Sequence, residues 1–241
     1  MRPIFLFAVG LALATACASR PEPEAPPIKT EMHAHYSSSL ALREIVVQGD
    51  LSLLAAPADE LSRQPMHPAF GEAARVDFDA MQQGARRAAG ASTLSDAAAG
   101  VADVAAACGS CHQRLEVRSV PPSAPPEPAA EASVDGHMWR HHWGAAKLWD
   151  GLTRPSFADW KDGINALAEV PLQPEQLAAR GATPEAIALG ARVHALAADG
   201  VEAAPEARPA IYGAVIATCS GCHLRRVEAP PSPVIAPRVV K

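Results

Sequence analysis

Two short stretches of the chain carry the same five-residue pattern, Cys108-Gly109-Ser110-Cys111-His112 and Cys219-Ser220-Gly221-Cys222-His223. Two thiols three residues apart lie about one helical turn apart. That spacing suits addition across the two vinyl groups of a single porphyrin. The adjacent His then meets the iron as its proximal axial ligand. The pattern therefore predicts two covalently attached haem c groups, held by Cys108 and Cys111 and by Cys219 and Cys222, with His112 and His223 on the metal. Two other chemistries use paired cysteines. A dithiol redox centre belongs at a helix start after a strand, and no strand pattern precedes either motif. A zinc site drawing on both pairs would bring them within a few tens of residues, whereas here a proline run lies between them.

The elements that must position these motifs repeat. Sliding the chain by 106 positions lays Met32-His33-Ala34-His35-Tyr36 on Met138-Trp139-Arg140-His141-His142, Leu42 on Leu148, and Gly84-Ala85-Arg86 on Gly190-Ala191-Arg192. At the motifs the offset is 111, which places a five-residue insertion before the second cysteine pair. Internal repetition of this kind points to two domains of one fold. Ala-rich, 3.6-periodic segments predict four helices in each half, over about 31–48, 51–63, 71–89 and 94–115, then 134–150, 157–168, 184–198 and 209–226. Four antiparallel helices with short connections imply an up-down bundle. The expected fold is all-α: two tandem four-helix-bundle domains joined by a Pro-rich linker that would leave them nearly independent.

Prolines mark the boundaries, 23 of them and strongly clustered. The organisation they suggest is an export signal over 1–18, a stiff tether over 19–27, haem domain 1 over 28–118, a linker over 119–133, haem domain 2 over 134–228 and a tail over 229–241. The apolar run after Arg2 is too short for a permanent membrane anchor and reads as a signal peptide. Leu13-Ala14-Thr15-Ala16-Cys17 is similar to a lipobox that would make Cys17 a lipidation site, and cleavage after Ala18 is the alternative. Either places the protein in the periplasm, with Cys17 tethering it to a membrane in the first case. The net charge of -5 gives no footprint for nucleic acid. Aromatic residues are only 5% of the chain, so a porphyrin would supply core volume that the side chains lack.

With the motif on the last of four helices, each half resembles the class II c-type cytochromes, the cytochrome c′-like bundles. The resemblance rests on the motif, its late position, and the Met-x-x-His-aromatic start. It implies that the residue facing the open side of the haem comes from the first helix. Met32, His35, Ser39 and Leu42 share one helical face, and Met138, His141, Ala145 and Leu148 repeat that phase. Met32 or His35 in the first half, and Met138 or His141 in the second, are alternative distal ligands. Imidazole is the better donor, which favours His35 and His141, and a merely packing role for these side chains is the other option. His33, His137 and His142 fall off the face or lack a counterpart and read as exposed. His67 and His194 read as having no haem role. The family often carries a basic residue four places after the motif His, whereas this chain has Glu116 and Val227 there, and Arg114 and Arg225 two places after it. Arg86 and Arg192 are candidates for a haem propionate or for plain exposure. Trp139, Trp143, Trp149 and Trp160 read mostly as core or interdomain packing.

The implied function is one-electron transfer between redox protein partners, with no side chain acting as acid, base or nucleophile and no enzyme activity expected. A gas-binding or sensing protein with a five-coordinate haem is the alternative, and a peroxidase the third.

Overall fold

A computed structural model describes residues 27–117, 125–129 and 133–225. The expected signal, Cys17 with its lipobox-like stretch, the tether except for Pro27, the tail and part of the expected linker lie outside the described residues. Those described are helical, with no strand among them: α1 (Ile28–Gln48), α2 (Ala55–Arg63), α3 (Arg75–Ala89), α4 (Leu94–Arg114), α5 (Val134–Thr153), α6 (Phe157–Leu167), α7 (Pro174–Ala178), α8 (Pro184–Val201) and α9 (Arg208–His223). None of these helices is long and apolar enough to cross a membrane.

Local chemistry sets the boundaries. The hydroxyls of Thr93, Ser133, Ser156 and Thr183 cap α4, α5, α6 and α8 by accepting from the main-chain N–H three residues on. Gly49 ends α1 in the left-handed region, φ 82°. α2 and α3 begin later than their periodicity predicts, because 3₁₀ turns at Leu51–Leu53, Pro68–Phe70 and Glu72–Ala74 take up the first residues. α7 was not anticipated.

Within the first half α2 packs on α3, α3 on α4, and α1 on α2 and α4. Within the second, α5 packs on α6, α6 on α8, α8 on α9, and α5 on α9. Small residues let these helices close in. A Cβ on Gly163 would stand 2.7 Å from the Gly144 carbonyl oxygen. Burial on the first helix of each half follows the expected face: His35, Ser39 and Leu42 are buried with Met32 at its edge, as are His141, Ala145 and Leu148 with Met138.

Two expectations about the repeat need correction. The insertion lies ahead of α8 rather than between Arg192 and the second cysteine pair. The buried positions of α3, Met81, Gly84, Ala85 and Ala88, match Val193, Leu196, Ala197 and Gly200 of α8, an offset of 112. The extra residues therefore precede α8, where α7 sits, and the Gly-Ala-Arg identities at offset 106 are not structurally equivalent. Arg86 and Arg192 are both exposed but occupy different positions in their helices.

Nor are the halves nearly independent. α4 packs against α9 and α5, and α1 against α9, so that Val101, Ala102 and Ala105 share one continuous core with Trp149, Tyr212 and Val215. Alanine-rich helices present faces flat enough for a second layer of packing, and the linker does not keep them apart. At the crossing of α4 and α9, a Cβ on Gly213 would stand 3.4 Å from that of Ala102, its own counterpart at offset 111. The halves thus meet about an approximate two-fold axis.

Candidate haem-attachment sites

Both motifs occupy the last turns of their helices, α4 and α9. Helical spacing puts Cys108 and Cys111 one turn apart, and likewise Cys219 and Cys222. All four are free thiols. Burial pushes Cys108 and Cys219 up to about 12 and raises Cys111 too. Such thiols stay protonated, the reverse of the activated thiolate that a dithiol redox centre needs. Among the described residues, the grouping of His, Cys, Asp and Glu tight enough for a metal ion contains no cysteine, so a zinc site built from both pairs is not formed.

The motif histidines are held across the halves. His112 Nδ1 lies 2.7 Å from the main-chain oxygen of Thr153, at the end of α5. His223 Nδ1 lies 2.8 Å from that of Val47, at the end of α1. Val47 and Thr153 are counterparts at offset 106, as the histidines are at 111, so this is one contact made twice. A carbonyl can only accept. Each Nδ1 is therefore the donor in its contact, the arrangement seen in histidines that ligate a metal through Nε2. The unpaired carbonyls at helix C-termini are what make these acceptors available.

Neighbouring contacts repeat in the same way. Gly109 sits so close to α5 that a Cβ there would stand 2.1 Å from the Leu152 oxygen. Its counterpart Ser220 instead donates its hydroxyl to the oxygen of Val46, the counterpart of Leu152. Tyr36 donates to Asp150 at 3.2 Å. At the equivalent place Glu44 opposes the burial that lowers the pKa of His142.

On the inward faces of α1 and α5 the halves differ. His35 lies 3.9 Å by Nε2 from Glu31 and 6.1 Å, centroid to centroid, from Phe78. Burial lowers its pKa, and Glu31 partly opposes this. His141 instead lies 4.2 Å from His137 and 5.2 Å from His194 by ring centroids. Burial, reinforced by these two neighbours, pushes its pKa down to about 3.

Several sequence expectations are settled by position. His33 is exposed as expected, but His137 is buried, its Nδ1 3.0 Å from Glu169. α5 begins early enough for His137 to sit one turn before His141 on the same inward face. The i, i+4 spacing of the two histidines was the available signal. His142 is half-buried rather than exposed, under the other half. Arg114 is paired with Asp77 at 2.7 Å, beside Cys111. Trp149 and Trp160 are core, Trp143 is buried with its N–H on the Pro125 oxygen, and Trp139 is exposed. No family model, curated protein or solved structure matches this chain.

Proposed function

We propose that the chain is a dihaem c-type cytochrome of the class II, cytochrome c′-like kind, built as two tandem four-helix bundles that share an interface, and that it carries electrons on the periplasmic side of a membrane. Cys108 and Cys111 would bind one haem through thioethers, and Cys219 and Cys222 the other, with His112 and His223 as proximal ligands. The observation that carries this reading is the pair of motif histidines, each with Nδ1 fixed on a carbonyl. The haem, when bound, supplies an iron that exchanges one electron between its ferric and ferrous forms.

The chain's own contribution is positional. The carbonyls of Thr153 and Val47 hold the proximal rings in one tautomer and orientation. His35 is the favoured distal donor in the first half, with Met32 as its alternative, and His141 or Met138 serves in the second. No acid–base pair is required, which sets this reading apart from a peroxidase. Export and lipidation at Cys17 would tether the protein near redox protein partners.

The test is the haem itself. Protein exported from cells with haem-maturation machinery should retain two haems per chain after acid–acetone extraction, by mass spectrometry and pyridine haemochrome. A polypeptide of bare mass would overturn the assignment. Ready carbon monoxide binding by high-spin haem would shift it to the gas-binding alternative.

A further inference from the structure

We propose that His137, His141 and His194 bind one first-row divalent cation of the zinc type, with the Glu169 carboxylate behind His137, in the second half only and apart from both haem motifs. His137 and His141 stand one turn apart on α5, the i, i+4 arrangement that lets two imidazoles reach one ion. His194 comes across from α8. One ligating nitrogen from each of the three lies within 4.8 Å of the others. A tetrahedral zinc with nitrogen ligands asks for roughly 3.3 Å between donors, so small side-chain rotations close the set.

The polar atoms here are otherwise left without partners. His141 Nε2 and His194 Nδ1 are each buried and make no hydrogen bond. An unsatisfied buried polar atom is costly, and two facing one point need a common explanation. A cation supplies it. The outer shell is also present: Glu169 Oε1 lies 3.0 Å from His137 Nδ1, Arg140 Nε donates to Glu169 Oε2 at 2.6 Å, and the Leu167 main chain hydrogen-bonds His194. Such contacts orient metal ligands. Burial lowers all three imidazole pKa values, which keeps the rings neutral with lone pairs available.

The first half has no such set. At the same places it has Glu31, His35, Gln82 and Arg63, by offsets of 106, 106, 112 and 106. Gln82 there donates to the Gln64 carbonyl at 2.9 Å. The cation would occupy His141 and leave Met138 as the distal donor of the second haem. The proposal therefore stands on its own donors and does not rest on the haem reading.

The experiment uses the full exported chain, loaded with zinc chloride, dialysed, and assayed for zinc by mass spectrometry and for haem by pyridine haemochrome in the same sample. One zinc per chain is expected. His194→Gln, which copies Gln82, should weaken zinc binding at least about 100-fold, more than loss of an outer-shell partner costs, and His33→Ala should leave it unchanged. His137→Asn gives an independent second variant, and circular dichroism confirms that each is folded. Zinc retained without haem supports the proposal while overturning the haem reading. Haem without zinc, or undiminished zinc in a folded His194→Gln chain, overturns the proposal.

Discussion

The first and second halves treat the two sides of their motifs differently. On the proximal side they are near copies: His112 on Thr153 and His223 on Val47, Gly109 and Ser220 against Leu152 and Val46, Tyr36 with Asp150 and His142 near Glu44. On the distal side they have diverged. His35 faces Glu31 and a phenyl ring, whereas His141 faces two further imidazoles. At offset 112, Gly190 stands where Phe78 fills the first half, and a Cβ there would stand 3.8 Å from the Leu177 side chain of α7. The proximal contacts cross between halves, so a change in one disturbs both. Distal contacts lie within a half and are free to change alone.

The largest effect should come from removing one motif. With Cys108→Ala and Cys111→Ala the chain should lose one haem and unfold in a single transition lowered by on the order of 10 °C, the shift expected for several kcal/mol at this size. Differential scanning calorimetry checks this. An intact second transition, unmoved, would mean that the shared core does not couple the halves.

A smaller effect distinguishes two equivalent positions. Gly109→Ala must push α4 off the Leu152 carbonyl and should cost about 3 kcal/mol, at the upper end of overpacking. Ser220→Ala removes only a hydroxyl hydrogen bond and should cost about 1 kcal/mol. Urea unfolding of both variants decides it. Equal losses would remove the close approach as the reason for glycine.

The smallest effect is a pH dependence. Burial raises the Asp150 pKa despite Arg154 and the Tyr36 hydroxyl. The folded state then binds the proton more readily than the unfolded one. This contribution costs stability above the raised pKa, and the cost is relieved as pH falls from there towards the ordinary value near 3.8. Asp150→Asn should flatten that part of the stability profile by under about 1 kcal/mol. A profile identical to that of the unsubstituted chain would show that the carboxyl is not perturbed.

Much of this was legible in the residues. The eight long helices, the motifs at the ends of α4 and α9, and the inward face through His35 and His141 follow from periodicity and caps. The position of the insertion did not, because a Gly-Ala-Arg identity in α3 and α8 outweighed a burial pattern that only packing displays. For the same reason an offset of 106 sets His194 opposite Ala88, whereas packing sets it opposite Gln82. The acceptors for His112 and His223 are main-chain carbonyls, which leave no mark on side-chain identity. Independence of the halves was inferred from proline content, yet small side chains on α4 and α9 decide how closely two helices approach.

The meeting of Ala102 with its own counterpart Gly213 has a consequence for ancestry. A surface that packs against a copy of itself is isologous, the geometry by which a single-repeat chain closes into a symmetric homodimer. Duplication of such a gene would tie the two protomers together at a fixed one-to-one ratio. Each copy could then specialise without losing its mate, a freedom that identical subunits encoded by one gene do not have.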